Sequence, residues 1–338
     1  MTSKTISLAH GSGTSASQTL IDELFISAFR NDLLATKEDQ ARISLNHLMA
    51  DGNQLAFSTD SYVIDPLFFP GGNIGKLAIC GTVNDLAVGG AYPRYLSCGF
   101  IIEEGLSMDI LTQVVHSMAE TAKAAGVSIV TGDTKVVPRG AADKLFINTA
   151  GIGVIPATLN WGMPQIQVGD KIIINGTLGD HGATILNERE QLGLTGALSS
   201  DCAPLNGLID QLHPIKGIRT LRDATRGGVN AVLHEFSQAC GYGMLVEESL
   251  LPLSSPVRGI CELLGLDPLN FANEGKVVII ASEDSAPAVL DALKSYPLGA
   301  QAAIIGSVTQ NPQVYLRGLY GVDRILDLPQ HEPLPRIC

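Results

Sequence analysis

Aromatic residues make up only 5% of this 338-residue sequence, and Trp161 is its single tryptophan. That scarcity argues against stacking platforms for single-stranded nucleic acid. Basic residues are outnumbered too, 22 Lys and Arg against 34 Asp and Glu, for a formal charge of −12. Most of such a surface repels a phosphate backbone. Any nucleotide must then be held locally, by backbone amides, a few cations and a metal. No apolar run is long enough to span a bilayer. The opening Met1-Thr-Ser-Lys-Thr-Ile-Ser7 lacks the apolar segment of a secretory signal. The six cysteines, at 80, 98, 202, 240, 261 and 338, form no C-x-x-C pair and no compact framework. They read as reduced thiols, and a cytoplasmic location is expected. Walker A, G-x-G-x-x-G, H-E-x-x-H, H-x-x-E-H and G-x-S-x-G motifs are all missing, which sets aside the nucleotide, zinc and serine chemistries they mark.

What is present begins with glycine, 36 residues in a chain that is 45% hydrophobic, enough for full cores and many tight turns. The length suits two domains. Apolar patterning predicts strands over Gln54–Ile64, Tyr95–Ile102, Val127–Val130 and Lys144–Ile155, with helices over Thr19–Phe29, Gly75–Val88 and Met108–Ala125. Gly126 then stands where a left-handed helix cap belongs. After a linker over Pro156–Gly169 the pattern restarts. Strands are expected over Lys171–Asn175, Lys276–Ala281 and Ala302–Val308. Helices are expected from Gly179-Asp-His-Gly182 and over Arg226–Ala239, Pro256–Leu264 and Ala286–Leu293. The expected class is α/β (α+β): an N-terminal loop and helix (1–45), two sheet-and-helix domains (46–156 and 165–312) and a flexible tail (313–338). Strand order stays open.

Three segments, Ser58-Thr-Asp60-Ser, Gly81-Thr-Val-Asn84-Asp85 and Thr131-Gly-Asp133-Thr-Lys135, read as acidic turns. Mg²⁺ takes one or two carboxylates, with water and phosphate completing its shell. Asp60, Asp85 and Asp133 converging at strand ends would meet that need and let an acidic protein hold a polyanion. Each aspartate alone is more often an ordinary turn or cap residue. His10-Gly11-Ser12-Gly13 can offer bare amides to phosphate. Asp223-Ala-Thr225-Arg226-Gly-Gly228 can add an anion contact, or can simply open a helix with Thr225 or Asp223 as its cap. Asn273-Glu274-Gly275 sets a carboxylate in a tight turn before an apolar strand.

The sequence ends Pro333-Leu-Pro-Arg-Ile-Cys338, with Pro329 upstream. A thiol on a proline-stiffened arm is a nucleophile that can be carried, over roughly 28 Å if the arm runs as polyproline II. The alternative is a frayed tail with an accidental cysteine.

The chain closely resembles the HypE carbamoyl dehydratases, hydrogenase maturation factors within the aminoimidazole-ribonucleotide-synthetase-like (AIR-synthetase-like) ATP enzymes. The matching stretches are His10-Gly-Ser-Gly, Phe57-Ser-Thr-Asp-Ser-Tyr, Asn73-Ile-Gly-Lys76, Asn84-Asp, Gly132-Asp-Thr-Lys-Val, Arg222-Asp-Ala-Thr-Arg-Gly-Gly-Val, Asn273-Glu-Gly and Pro335-Arg-Ile-Cys. The resemblance runs over essentially the whole chain, and the last stretch is its specific part. It implies a two-domain PurM/AIR-synthetase-like fold that dehydrates an S-carboxamide on Cys338 to S-cyanide at the expense of ATP, supplying CN ligands for the iron of [NiFe] hydrogenase. By the same resemblance ATP would be held by Gly11, Ser12, Gly13, Lys76, Asn84, Asp223, Thr225 and Arg226. Mg²⁺ would sit on Asp60, Asp85 and Asp133. Glu274 is the first choice for the base; a lysine base would need burial that acidic neighbours oppose, which leaves Lys135 to stabilise phosphate charge. Arg336 would partly offset the charge beside the Cys338 thiol. Implied partners are a second copy of the chain, the carbamoyltransferase HypF and the HypC–HypD iron scaffold. Thr14 stands where the family usually has glycine, which would be costly if φ there were positive. Two other readings are a related synthetase or kinase, which would not need the tail, and a non-catalytic scaffold with a docking peptide.

Overall fold

The computed structural model describes residues 4–194, 198–330, 334 and 336–338. Met1–Ser3 of the opening segment, and Pro333 and Pro335 of the tail, lie outside the described residues.

The chain opens with a 3-10 turn, Leu8–Gly11, and helix α1 (Ser15–Leu20) continued by a π-helical turn, Ile21–Ile26, then short α2 (Leu45–Met49). The first domain then alternates β1 (Gln54–Tyr62), a small hairpin of β2 (Phe68–Phe69) and β3 (Gly72–Asn73), α3 (Ile74–Val88), β4 (Tyr92–Glu103), α4 (Met108–Ala125), β5 (Ser128–Val137) and β6 (Leu145–Ile155). Helix α3 starts where Asn73 accepts from the Gly75 and Lys76 amides, and α4 ends at Gly126 with φ 71°. The sheet runs β1-β6-β4-β5, antiparallel except for β4 with β5. Alternation sorts its faces. Leu96, Cys98, Phe100 and Ile102 point into the core with α3 and α4, whereas Leu55, Phe57 and Ile101 on the other face stay exposed.

The second domain adds β7 (Lys171–Ile174), α5 (Asp180–Glu190), α6 (Asn206–Asp210), β8 (Ile218–Asp223), α7 (Gly228–Cys240), β9 (Gly243–Glu247), α8 (Ser255–Leu264), β10 (Val277–Ala281), α9 (Ala286–Lys294), β11 (Ala303–Thr309), β12 (Val314–Arg317) and β13 (Asp323–Ile325). Its sheet order is β13-β12-β9-β11-β7-β10-β8. Both faces are covered, so β10 is buried throughout: Val278 and Ile280 enter one core, Val277 and Ile279 the other. The two sheet-and-helix halves match the expected class.

Two features differ from the sequence reading. Residues 314–317 and 323–325 belong to the sheet, because β12 pairs in parallel with β9 and β13 completes the edge. The tail therefore begins later than residue 313. None of the three acidic segments is a turn: Asp60 is in β1, Asp85 in α3 and Asp133 in β5.

Candidate active site

Strand β1 sends Ser58, Asp60 and Tyr62 inward towards α3, in step with its alternating burial. There Ser58 donates to Asp85 at 2.7 Å. Asp223, ending β8, lies close enough to Asp85 and Asp60 to feel both charges. Burial, then Asp85, push Asp223 up to about 7. Burial and Asp60 likewise raise Asp85, while Ser58 and Arg222 counter them. The second domain contributes Glu274, only 3% exposed, with Oε1 lacking any hydrogen-bond partner. Burial, followed by Cys202, Asp201, Asp223 and Asp60, lifts its carboxyl well above the usual range.

The Glu274 turn is fastened by a residue that no sequence motif marks. Asp201 accepts from the amides of Glu274 and Gly275, at 3.1 and 3.0 Å, and from Lys276 Nζ at 3.0 Å. Gly275 fits because a Cβ there would stand 2.0 Å from the Asp201 carbonyl.

Asp133 and Lys135 do not join this group within one chain. Register places Asp60, Thr149, Cys98 and Gly132 in one row, and Asp133 beside Gly99 in the next. Asp133 and Lys135 thus share the outer face with Ile101, on the far edge from β1, roughly 14 Å away at three strand spacings. They pair with each other at 2.7 Å, and that bond lowers the Asp133 carboxyl. Among the described residues no three His, Cys, Asp or Glu side chains could share a metal ion. The expected convergence of three aspartates is corrected accordingly: sheet order separates Asp133 from Asp60 and Asp85. Lys135 is likewise exposed and ion-paired.

Asp133 and Lys135 instead line a cavity of about 520 Å³, with Gly11, Gly13, Phe25 and Phe100. Gly11 packs on β5, where a Cβ would meet Val136 N at 2.7 Å, and Gly13 has φ 71°. Thr14, at φ −85°, is extended and free of the cost that a positive φ would bring. Ser12 spends its hydroxyl on the Leu8 carbonyl at 2.5 Å. Lys76 reaches the Gly71 carbonyl at 2.8 Å. Asn84 is corrected as a nucleotide contact: it is 1% exposed, accepting from Leu205 N at 2.7 Å and donating to Ala203 O at 3.1 Å. The side chain stitches α3 to the 203–205 segment. Thr225 and Arg226 precede α7, whose N-cap is Gly227 at φ 76°, so neither Thr225 nor Asp223 is the cap. Arg226 is exposed.

The end of the chain is docked inside the molecule. Ile337 is 1% exposed in the core shared by both domains, and Cys338 packs partly against it. Val63 N–H, just past β1, donates to a main-chain oxygen of Cys338 at 3.0 Å. His181, fully buried on α5, meets the Ile337 carbonyl at 2.8 Å. Arg189 donates to the carbonyls of Asp65, at 2.6 Å, and Arg336. Arg336 sits at φ 56°, a left-handed conformation that costs a non-glycine residue about 1–2 kcal/mol. Its guanidinium binds Val63 O at 2.9 Å and Asp143 at 2.6 Å. The expectation that Arg336 serves the thiol is corrected: it fastens the tail. Neighbouring Tyr62 is buried against Asp60, Glu274 and Asp85, so the docked segment lies beside the strand that supplies the acidic corner.

Residues 37–155 match the AIR synthase related protein N-terminal domain, and residues 167–318 its C-terminal domain. The chain is 66% identical over 333 residues to carbamoyl dehydratase HypE of Escherichia coli K12, covering 98% of this chain and 99% of that one. A crystal structure of hydrogenase maturation protein HypE in complex with ATP superposes with a TM-score of 0.93 at 47% identity, covering 98% and 99% of the two chains. The HypE chain of a HypE–HypF complex does so with a TM-score of 0.80 at 46% identity, covering 92% and 99%. By its whole-length likeness, the chain belongs to the HypE carbamoyl dehydratase family of AIR synthase related proteins.

Proposed function

We propose that this protein dehydrates an S-carboxamide carried on Cys338 to S-cyanide, consuming ATP and releasing ADP and phosphate. The observation that carries this reading is the placement of the tail. The segment bearing the thiol is seated beside β1 and its acidic corner, with the buried Glu274 carboxyl, whose Oε1 lacks a hydrogen-bond partner, in the same region.

The chemistry assigns the roles. A carboxamide cannot lose its oxygen as hydroxide, a very poor leaving group. Attack of that oxygen on the γ-phosphorus of ATP releases ADP and turns the oxygen into part of a phosphate. The nitrogen gives up one proton as the oxygen is phosphorylated and a second as phosphate departs. The C–O bond breaks while C≡N forms. Glu274 accepts a nitrogen proton; a carboxylate whose pKa has been raised by burial is a stronger base once ionised. Gly11, Ser12 and Gly13 offer backbone to phosphate, and Lys76, Thr225 and Arg226 stand as polar contacts.

Asp60 and Asp85 suit Mg²⁺: they are hard oxygen donors crowded with Asp223, and a cation relieves that crowding. Bound there, the ion would supply Lewis-acid stabilisation to the triphosphate. Asp133 and Lys135 would complete the site from a second copy of the chain. The open sheet face supports such a homodimer, with Leu55 and Phe57 58% and 71% exposed on the same face as those two residues. In this reading HypF loads the carboxamide, and the cyanide passes to the iron of a HypC–HypD scaffold for [NiFe] hydrogenase. The cysteines are all free thiols, as a cytoplasmic enzyme would keep them, and no helix of the described residues is long and apolar enough to cross a membrane.

Intact mass tests the reading. Incubation with the carbamoyltransferase should add one carboxamide at Cys338, and ATP should then remove one water. A Cys338→Ala chain that acquires the same adduct, or a loaded chain that keeps its water with ATP present, would sink it.

A further inference from the structure

We infer that His181 and Ser200 form a relay coupling the docked tail to the placement of the Glu274 turn. The inference rests on the reading of Glu274 as the base and adds two positioning residues to it.

Hydrogen-bond polarity along the relay is fixed by its ends. The Ile337 carbonyl can only accept, so His181 Nε2, 2.8 Å away, carries the proton. Burial disfavours the charged ring. Nδ1 is then the acceptor, and Ser200 Oγ, at 2.8 Å, donates to it. Ser200 Oγ in turn accepts from the Cys202 amide at 3.1 Å, and the Ser200 amide is tied to Pro70 O at 2.8 Å. Between Ser200 and Cys202 lies Asp201, whose carboxylate holds the amides of Glu274 and Gly275. An unbroken chain of bonds thus runs from the tail carbonyl to the catalytic turn.

A buried histidine that only stabilised the core would bond fixed core groups. This one bonds a segment that must leave to be loaded and to deliver its cargo. When the tail departs, a ring that is 0% exposed loses its acceptor, which is costly unless the ring moves. A shift of the ring releases the Ser200 hydroxyl and slackens the loop that fixes Glu274. The base is set when the tail is docked and relaxed when it is away, which confines ATP turnover to the docked state.

Hydrogen exchange of the 271–277 segment in the full-length protein, with alkylation of Cys338 followed in parallel, tests this. Ser200→Ala removes the link between His181 and the loop and leaves the tail's own side chains in place. It should accelerate exchange at Glu274 and Gly275 about tenfold and, because coupling is reciprocal, raise Cys338 alkylation by no more than that factor. Ile337→Lys places a charge where none can stay buried and should free the tail. Alkylation of Cys338 should rise at least about tenfold, and exchange at Glu274 and Gly275 should rise with it. Unchanged exchange in Ser200→Ala, unchanged alkylation in Ile337→Lys, or a freed tail with exchange unaltered would each overturn the relay. Failure of the parent protein to form thiocyanate would remove the dehydratase reading while leaving these exchange results interpretable.

Discussion

Asp223 closes β8 beside Asp60 and Asp85, and burial together with those two charges opposes its ionisation. In the folded chain Asp223 keeps its proton up to about pH 7, whereas an unfolded aspartate loses it near 3.8. Stability from this group is full below the unfolded value and is lost as pH rises through the folded one. In chelator, the melting temperature of Asp223→Asn should therefore gain on the parent between about pH 5 and about pH 8. Parallel melting curves across that range would count against the crowded corner. The side chains of this corner were visible in the sequence as single aspartates. Their mutual distance was not, since Asp60, Asp85 and Asp223 come from a strand, a helix and a strand of two domains.

At the scale of elements, α3 is the member that touches most of what matters. Its inner face carries Asp85, and Asn84 next to it ties the helix to the second domain through Leu205 and Ala203. Asn84→Ala leaves the Leu205 amide and the Ala203 carbonyl without their partner in a dry site. A loss of about 2–3 kcal/mol is expected in urea unfolding, with ATP binding retained once the protein is folded. Selective loss of ATP affinity at unchanged stability would restore Asn84 to the nucleotide. Periodicity located α3 and most other elements to within a few residues. It failed at β8, β9, β12 and β13, short segments of three to six residues whose identity is settled by strand partners rather than by local pattern. It also read Thr131–Lys135 as a turn. Glycine and aspartate there suggest one, but ladder pairing with β4 keeps the segment extended.

For the whole molecule, the decisive feature is that β1-β6-β4-β5 puts Asp60 and Asp133 on opposite edges and faces. If a symmetric partner covers the open face, each site borrows Asp133 and Lys135 from the other chain. Phe57→Lys should then shift the protein to monomers in sedimentation velocity and abolish thiocyanate formation. Mixing Glu274→Gln with Lys135→Ala chains should restore about a quarter of the parental activity, because half the dimers are mixed and one of their two sites is intact. No recovery on mixing would place both residues in one chain's site.

The order of residues alone determined the two-domain α/β plan, the run of core strands and helices, and the presence of a terminal thiol among acidic motifs. Each of these depends on local period or on residue chemistry, which a linear chain carries openly. Only the tertiary structure decided which aspartates meet, that Asn84 and Arg336 serve packing and docking, and that Asp201, His181 and Ser200 stand behind the Glu274 turn and the tail. Those outcomes depend on strand order and on contacts between segments more than a hundred residues apart, such as His181 with Ile337. Side-chain direction reverses at every strand residue and proximity follows pairing, so no linear spacing encodes them.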